Sequence, residues 1–399
     1  MGKVKVLTAR QAADLIKDGD TVTLSGFVAN GIAEALNTAA EERFLETGHP
    51  KDLTLFWVAG TGNKDGSHAD HYAHEGMVKK VIGGHFNFVP KICEMLSENK
   101  IEGYNVPQGA IAQMLRDNAA RKVGTISHVG IGTFADPRNG GGRLSEKTKE
   151  DIVKIIELEG QEQLFYPRIP LDVAFIRGTY ADELGNITLE KEMAPLDATS
   201  QAMAVHNNGG LVVVQVERVV KAGHLDPKLV KIPGIYVDAV VECPADDPKQ
   251  SQSINCTYDP AYAGNTQVPV SSLEPKKLDA KKIIGRRAAM ELKKNVVVNL
   301  GVGVPEWVSS VAAEEGVADE MTLTVECGPV GGVPGGGLRF GGSVNAQAYM
   351  DEGYQFDFYD GGGLDLCFLG LAEVDNNGDV NVSRLGTRIT GSGGFTNIS

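Results

Sequence analysis

Apolar and polar positions in the first sixty residues follow two different periods. Asp20–Ser25 and Lys51–Gly60 have the period of about two that is typical of strands, whereas Ala9–Lys17 and Ile32–Glu46 have the longer period of amphipathic helices. Gly26–Gly31 forms a predicted tight turn between the first strand and the second helix. Strands that alternate with helices of about 10 to 15 residues are typical of parallel βαβ units. The pattern therefore predicts an α/β fold.

The same pattern returns later in the chain. Asn295–Glu306 repeats the early strand, glycine turn and helix start, and Glu306 corresponds to Glu34. Leu171–Ile176 matches Leu364–Leu369, which lies 193 positions further on. Repetition at a fixed spacing indicates a duplicated unit. We therefore predict two Rossmann-like copies of one α/β fold, each with an open, mostly parallel sheet.

A segment of different composition separates the two copies. Cys243–Lys277 is rich in Pro, Asp, Ser, Gln and Asn and has no sustained hydrophobic period. At about 35 residues it is too long for an ordinary loop inside a compact domain. We therefore predict an N-terminal domain over residues 1–242, a linker over 243–277 and a C-terminal domain over 278–399.

The two copies differ most where one predicted strand ends. Met321–Val325 is followed by Glu326, Cys327 and a glycine-rich loop, whereas the first copy has Val58 and Ala59 at the matching positions. An ionisable side chain in place of a packing residue points to function. A carboxylate beside glycine N–H groups that stabilise an oxyanion predicts a nucleophile, with a general base as the alternative. Cys327 is the rival nucleophile, and a solvated Glu326 in a surface turn is the interpretation without function.

Composition narrows the class of protein. The chain is 42% apolar and 23% charged and contains no run of eighteen apolar residues, so we expect a soluble globular protein outside the membrane. Five cysteines without a CxxC pair, and a start without a signal-peptide core, favour the cytoplasm. The net charge of −14 argues against a nucleic-acid partner. It still permits an anionic ligand, because a local basic patch acts within a screening length of about 8 Å.

Two clusters could hold a ligand. Lys281–Arg287 is a basic run at the start of a predicted helix, and it fits either a solvated helix face or an anion-binding patch. Several histidines lie close together in the first copy, but no Cys or carboxylate spacing completes a metal site, so we expect none. These histidines are His68, His71, His74 and His85.

Nine stretches along the chain share one resemblance. They are Asp18–Val22, Ala73–Gly76, Tyr104–Gly109, Val129–Gly142, Leu164–Pro167, Arg177–Glu183, Val230–Val237, Asn299–Gly303 and Tyr359–Asp365. Together they resemble the family I coenzyme A transferases, and most of all the fused single-chain acetate and propionate CoA-transferases. The resemblance implies transfer of coenzyme A from a short-chain acyl-CoA to a free carboxylate, with the active site between the two domains. It also implies a homo-oligomer (dimer or tetramer) and no tightly bound cofactor, because coenzyme A is part of the substrate.

The resemblance assigns roles to single residues. Glu326 matches the glutamate that attacks the thioester and then carries coenzyme A as a glutamyl-CoA thioester. Gln108, in a Pro-Gln-Gly motif, matches an oxyanion-hole donor, and Gly393 is our choice for the accompanying backbone donor. The glycines expected to contact coenzyme A are Gly301, Gly303, Gly361, Gly362 and Gly394.

Each assignment has an alternative. Gln108 could cap the helix predicted from Ala110 to Arg121, and the glycines of 301–303 could serve only a tight turn. Asp365 corresponds to Asp172 in the first copy, which favours a structural role over a catalytic one. Among enzymes the alternative activity is acyl-CoA hydrolysis through the same intermediate. Outside enzymes it is a relative that binds a CoA ester without turnover.

The second copy is shorter than the first. The first continues through a helix after Ala202 and the strand Leu211–Val216, and the chain stops at Ser399 before any counterpart. Fused members of the resembling family continue well beyond a motif like Gly393–Ile398. We therefore expect an incomplete second sheet with an exposed edge, and a C-terminal half of lower stability.

Overall fold

A computed structural model describes residues 2–270 and 274–399. The first half contains strands β1 (Lys5–Leu7), β2 (Thr21–Leu24), β3 (Leu53–Trp57), β4 (Val78–Gly83), β5 (Glu102–Asn105), β6 (Gly124–Ser127), β7 (Lys154–Leu158), β8 (Gln161–Pro167), β9 (Val173–Arg177), β10 (Tyr180–Asp182), β11 (Ile187–Thr188), β12 (Leu211–Val216), β13 (Arg218–Val220), β14 (Val230–Ile232) and β15 (Ala239–Glu242). Its helices are α1 (Ala9–Ala13), α2 (Glu34–Thr47), α3 (Pro90–Ser97), α4 (Gln108–Ala119) and α5 (Ala198–Asn207).

The second half is built from shorter elements. Its strands are β16 (Val297–Leu300), β17 (Thr322–Thr324), β18 (Pro329–Val330), β19 (Val333–Pro334), β20 (Ser343–Val344), β21 (Ala348–Tyr349), β22 (Leu366–Phe368), β23 (Glu373–Val374), β24 (Val380–Asn381), β25 (Arg384–Leu385) and β26 (Arg388–Ile389). Its helices are α6 (Ala280–Ala289), α7 (Glu306–Glu314), α8 (Glu352–Asp360) and α9 (Phe395–Ile398).

Eight parallel strands form the main sheet of the first half, in the order β1-β15-β12-β9-β2-β3-β4-β5. Because side chains alternate along a strand, Val173 and Phe175 of β9 pack among residues of α1 to α3 on one face. Ala174 and Ile176 pack among residues of α4 and α5 on the other face. Both faces of the sheet are thus covered by helices, as expected for parallel strands. The predicted α/β fold is confirmed.

The sheet of the second half repeats the centre of the first. Its order is β21-β18-β17-β16-β22, in which β16 pairs in parallel with β17 and β22, while β18 pairs antiparallel with its neighbours. The order β22-β16-β17 matches β9-β2-β3, and the register toward both neighbours is also the same. The paired positions are Val22 with Leu55 and Val173, and Val298 with Leu323 and Leu366. The predicted duplication is confirmed.

Two aspartates make the same contacts in both copies. Asp172 and Asp365 precede β9 and β22, and each carboxylate accepts a 2.8 Å hydrogen bond from the first residue of the neighbouring strand, Thr21 or Val297. Each aspartate also donates its own N–H to that residue's carbonyl oxygen. Because the contact recurs in a copy without the candidate glutamate, it secures strand pairing. The geometry thus favours the structural interpretation of Asp365.

The strand ends of the two copies meet. Ala59 follows β3, Cys327 follows β17, and both belong to one apolar cluster with Val325 and Phe340. The two halves also pack through α4 and α8, where Arg116 pairs with Asp357. Matching edges of the two sheets therefore face a shared junction.

The predicted linker is irregular but closely packed. Its Ile254 donates to Ala29 in the first half, while Asp259 forms an ion pair with Arg339 at 2.8 Å in the second half. Ser253 is fully buried between the two halves. Residues 271–273 of the predicted linker lie outside the described residues. The boundaries at 242 and 277 stay a prediction.

Other parts of the fold differ from expectation. Helix α1 ends at Ala13, four residues before the predicted end at Lys17. Two smaller sheets, β6-β8-β7 and β13-β10-β11-β14, have no counterpart in the predicted pattern, and several of their strands are partly exposed. Within the described residues β22 is an edge strand, whereas its counterpart β9 is followed by β12.

Candidate active site

Glu326 lies two residues beyond β17, at the carboxyl edge of the parallel strands of the second sheet. Its side chain is buried and lines a cavity of about 160 Å³. Both halves contribute to the wall of this cavity. Its polar and glycine residues include Gly60, His85, Gln108, Gly301, Gly393 and Gly394. The alternative of a solvated glutamate in a surface turn is wrong for this geometry.

The surroundings of Glu326 stabilise its charge weakly. Asn299 of β16 donates to its Oε2 at a long 3.4 Å, and no Lys or Arg of the described residues pairs with it. Beneath Asn299, Tyr359 donates to Thr324 at 2.8 Å, which closes a buried polar network. Burial raises the pKa of Glu326 to about 7, against the smaller lowering effects of its own backbone N–H and of the Asn299 amide.

Gln108 is the first residue of α4 and does not cap it. Pro107 precedes the helix without a side-chain capping bond, so the capping alternative is wrong. The Gln108 backbone N–H donates to Gly393 at 3.1 Å, and its side-chain Nε2 is placed 2.6 Å from Glu352 Oε1. The amide therefore lies between the cavity wall at Gly393 and a buried carboxyl group.

The loop that precedes α9 is hydrogen-bonded to the first half of the chain. The Gly393 N–H donates to Gly84 at 2.8 Å, and the Ser392 N–H donates to Asn105. The expected backbone donor, Gly393, thus lines the cavity, but its N–H is already occupied. Gly394 follows it in the cavity wall, and among the described residues its N–H has no acceptor. Gly394 is therefore the better candidate for an oxyanion donor.

Cys327, the rival nucleophile, faces away from the cavity. Its thiol is fully buried and donates to the carbonyl oxygen of Gly341 at 3.2 Å. Burial and the neighbouring carboxylates raise the pKa of this thiol. Since the thiolate is the nucleophilic form of cysteine, Cys327 is unsuited to attack a substrate.

A second cavity of about 500 Å³ adjoins the first. Val28, Phe88 and Val302 line both cavities. The second cavity carries three basic side chains and the predicted glycine Gly303, and it lies beside Glu306, which accepts N–H bonds from two glycine loops. The basic residues are Lys64, Lys276 and Lys281. A ligand with an anionic end can therefore extend from the Glu326 cavity toward positive charge.

Comparison with known proteins gives a consistent result. Residues 6–243 match the family model described as coenzyme A transferase. The chain is 43% identical to the acetate CoA-transferase YdiF of Escherichia coli K12, over all of this chain and 75% of that protein. It is also 43% identical to the caffeate CoA-transferase of Acetobacterium woodii, over 99% of this chain and 76% of that protein.

The fold of this chain also agrees with that of a solved relative. A crystal structure of the acyl-CoA transferase YdiF from Escherichia coli O157:H7, in a thioester complex with CoA, superposes with a TM-score of 0.92 and 42% identity. The match covers all of this chain and 75% of that one. The chain belongs to the coenzyme A transferase family. It is a family I CoA-transferase with the two-unit α/β architecture described above.

The remaining predicted glycines of this transferase lie in different places. Gly301 lines the Glu326 cavity, and its N–H donates to Phe368 at 2.9 Å. Gly361 directly follows α8, and Gly362 lines a third cavity beside His128 and Asn139. The structure therefore gathers Glu326, Gln108, Gly301, Gly393 and Gly394 at one cavity, but not Gly361 or Gly362.

Two of the four clustered histidines of the transferase, His71 and His74, contact carboxylates. His71 lies between Glu34 and Glu41 of α2, and His74 contacts Glu41 at 2.7 Å. Among the described residues no group of three or more His, Cys, Asp and Glu side chains is arranged to hold a metal ion. Over the same residues, no helix has the length and apolar character needed to cross a bilayer.

The basic run Lys281–Arg287 was predicted to be either a solvated helix face or an anion-binding patch, and its residues do not all have the same role. Lys282 is buried and pairs with Glu314, and Arg287 pairs with Glu291 on the surface. Lys281 instead lines the second cavity. One residue of the run is therefore placed to meet an anionic ligand, while its neighbours serve the helix.

Sequence reasoning missed three residues at this site. Asn299 contacts Glu326, and its signal was a polar residue inside an otherwise apolar strand. His85 lines the cavity, and burial lowers its pKa to about 4, so it is a neutral imidazole there. Glu352 contacts Gln108 across 244 positions of sequence, and no local pattern indicates that contact.

Proposed function

We propose that this transferase moves coenzyme A between a short-chain acyl-CoA and a free carboxylate of the acetate or propionate type. The reaction runs by a ping-pong mechanism through a glutamyl-CoA thioester on Glu326. One observation carries the proposal: a buried carboxyl group with a raised pKa faces a small cavity at the junction of the two halves. Such a group is a typical nucleophile, because its ionised form is poorly stabilised and therefore reactive.

The first half-reaction forms the enzyme-bound thioester. A carboxylate oxygen of Glu326 attacks the thioester carbon, the C–S bond breaks, and coenzyme A leaves as the thiolate with an acyl-glutamyl anhydride behind it. The thiolate then attacks the glutamyl carbonyl carbon of this anhydride. The bond between this glutamyl carbon and the bridging oxygen breaks, and the acyl group leaves with that oxygen as the first carboxylate product. The acceptor carboxylate reverses both steps, which restores the Glu326 carboxylate.

We infer that two N–H donors stabilise the oxyanion in these steps. We assign them to the side-chain amide of Gln108 and the backbone N–H of Gly394, both in the cavity wall with Glu326. A fixed donor is worth about 3 to 4 kcal/mol when negative charge develops on a carbonyl oxygen. Gly394 replaces Gly393 in this role, because the Gly393 N–H is used by Gly84.

The two cavities suggest how the substrate lies. The acyl group occupies the Glu326 cavity, whose volume of about 160 Å³ suits a group of a few heavy atoms. The CoA chain passes between Val28, Phe88 and Val302, and its phosphates meet the lysines of the second cavity. One relative is named for acetate and another, equally similar, for caffeate, so cavity size is the better guide to the acyl group. This mechanism requires no further cofactor.

The decisive experiment combines kinetics with mass spectrometry. Initial rates with a panel of acyl-CoAs, each with and without acetate, are expected to give transfer and parallel double-reciprocal lines. Intact-mass analysis after acyl-CoA alone should find a CoA adduct on the peptide that carries Glu326. Glu326→Ala should lose both transfer and adduct, and Glu326→Asp should be strongly impaired, because its carboxylate is about 1.5 Å too short for a site with a tolerance of about 0.5 Å.

Cys327→Ala is the matched control, since it removes the neighbouring thiol and should retain turnover. Near-normal turnover in Glu326→Ala, with the adduct absent from wild type, would refute the proposal. Thioester loss that does not need an acceptor would instead identify a hydrolase. CoA-ester binding without any turnover would identify a binding protein.

A further inference from the structure

His85 lines the Glu326 cavity but has no part in the mechanism given above. It lies two residues beyond β4, at the carboxyl edge of the first sheet, where open parallel sheets bind their ligands. Among the described residues it hydrogen-bonds only through its backbone, whose carbonyl oxygen accepts from Trp57 at 3.1 Å. Its ring Nδ1 is enclosed by these residues without a partner. A buried polar atom in this state is unfavourable, so its presence at a cavity points to a ligand for the ring.

The position of the imidazole ring is fixed by its neighbours. Its centroid lies 5.5 Å from that of Phe88, and the two ring planes are tilted by 40°. A side chain on Gly60 would begin 2.3 Å from Nδ1, so the ring packs directly on the backbone of that glycine. The next residue, Phe86, donates its N–H to Thr390 at 2.7 Å, which joins the strand end to the loop before α9. The ring is therefore held with its Nδ1 edge against protein.

The other edge of the ring lies toward the cavity wall that carries Gln108. A side chain on Gly393 would begin 3.5 Å from Cδ2, the ring carbon bonded to Nε2, and 3.4 Å from Oε1 of Gln108. All three residues line the Glu326 cavity. A proton on Nδ1 would be an enclosed donor without an acceptor, whereas a proton on Nε2 is available to a ligand. Since burial lowers the pKa of His85 to about 4, the ring is neutral and carries one proton, and this geometry favours Nε2 for it.

The mechanism leaves one reacting oxygen without a donor. Gln108 and Gly394 are assigned to the carbonyl oxygen of the acyl group. When the bond between the glutamyl carbon and the bridging oxygen breaks, negative charge appears on the bridging oxygen as well. No Lys or Arg of the described residues lines the cavity, so the departing carboxylate meets no cation from them. A neutral N–H group suits this position, because a cation would pair with Glu326 and make its carboxylate less reactive.

We propose that His85 binds the free carboxylate substrate by donating its Nε2–H to the oxygen that leaves, or attacks, the glutamyl carbon. The hydrogen bond forms as the first carboxylate departs, and it holds the acceptor carboxylate in the reverse step. The proton stays on Nε2 throughout, so the imidazole transfers no atom and no electron. This inference rests on the proposed function, because it needs a carboxylate that leaves Glu326.

Three variants separate the two edges of the ring. His85→Gln keeps an N–H group near the position of Nε2, His85→Asn moves it to the position of Nδ1, and His85→Phe keeps a ring without a donor. Loss of a hydrogen bond to a charged acceptor should lower kcat/KM for acetate about ten- to a hundredfold in His85→Phe and His85→Asn. His85→Gln should stay within about threefold of wild type. Affinity for free coenzyme A, measured by calorimetry, should stay within about threefold in all three variants, because coenzyme A has no carboxylate.

Nuclear magnetic resonance tests the tautomer independently of activity. Long-range proton–nitrogen spectra of enzyme with labelled histidines distinguish Nε2–H, Nδ1–H and doubly protonated rings, and the signal that His85→Gln lacks belongs to His85. The Nε2–H form is expected at about pH 7. Addition of acetate to Glu326→Gln, which cannot form the anhydride, should shift this signal.

His224→Phe is the matched control. It makes the same substitution at an exposed histidine between β13 and β14, so it should keep wild-type kcat/KM. If His85→Phe does not fold, the spectra and the comparison of His85→Gln with His85→Asn remain decisive, because these two variants differ only in where they place the N–H group.

The inference is overturned by any of three results. These are an Nδ1–H or doubly protonated ring, a His85→Asn variant as active as His85→Gln, or a loss of coenzyme A affinity in His85→Phe. Its failure is distinct from failure of the proposed function. A wild-type enzyme without the Glu326 adduct refutes the proposed function, whereas normal adduct formation together with any of the three results refutes only the role of His85.

Discussion

Replacing the candidate nucleophile by its amide should stabilise the folded protein at neutral pH. Glu326 is buried, weakly hydrogen-bonded and without a cationic partner among the described residues. Glu326→Gln keeps the shape of the side chain and removes the charge that is costly to bury. It also offers an N–H group to the carbonyl oxygen of Asn299, which is buried without a partner within the described part of the chain.

The magnitude follows from the shift in pKa. The unfolded chain releases this proton near 4.5, whereas the folded protein holds it until about 7. The folded state therefore binds more protons between these values, and wild-type stability falls as pH rises through this window. A difference of about 2.5 units corresponds to roughly 3 kcal/mol at 1.36 kcal/mol per unit, as an order of magnitude. Glu326→Gln should be more stable by up to that amount above pH 7 and no more stable below pH 4.5.

Urea denaturation at about pH 5 and about pH 8 measures this difference. The chain has two tryptophans, and Trp307 on α7 reports on the half that contains Glu326. Glu315→Gln, an exposed substitution in the same half, is the matched control and should change stability little at either pH. Equal stability of Glu326→Gln and wild type at about pH 8 would show that burial does not penalise this carboxylate.

Three further predictions follow from contacts described above. Gln108→Ala should lower kcat about a hundredfold in steady-state assays and leave KM nearly unchanged; loss of thermal stability at normal kcat would contradict its role as oxyanion donor. Asp172→Ala and Asp365→Ala, which remove the acceptor, should each cost about 1 to 3 kcal/mol of unfolding free energy in urea titrations but keep kcat, and a specific kcat loss in the second would revive a catalytic role. Burial lowers the pKa of His71, but the hydrogen bonds of its ring to Glu34 and to a second glutamate of α2 raise this pKa overall. The contribution of His71 to stability is therefore complete below pH 6.5 and is lost as pH rises through the pKa of the folded state. His71→Asn should flatten that part of the stability profile, and an unchanged profile would contradict the assignment.

The sequence was most informative where chemistry is local. The nearly continuous apolar run Leu211–Val216 predicted β12 to the residue, and the comparison of the copies singled out Glu326 from its counterpart Val58. Both inferences depend on side chains that are close together in the chain or at equivalent positions of a repeat. The strand pairing at the centre of the second sheet could then be inferred from the pairing in the first sheet.

Contacts between distant segments were not accessible in the same way. The N–H of Gly393 is taken by Gly84, and this depends on how the loop before α9 packs on the first half. Similarly, Glu352 meets Gln108 only because α8 packs against α4. The predicted linker has polar composition yet buries Ser253, because its backbone pairs with Asn30 of the first half and its hydroxyl donates to the carbonyl oxygen of Leu338 in the second half. Composition and periodicity do not indicate which distant segments of the chain pack against each other.

The meeting of the two strand ends has a consequence for stoichiometry. If the two copies of the fold were equivalent, each copy would have its own cavity with a nucleophile in it. In this chain Ala59 and Cys327 pack in the same cluster, yet only the second unit has a carboxylate at the preceding position, and the first has Val58. In this duplicated chain the first unit thus forms part of the wall of the cavity that contains the carboxylate of the second unit. Titration with acyl-CoA should accordingly saturate at one covalent equivalent per chain.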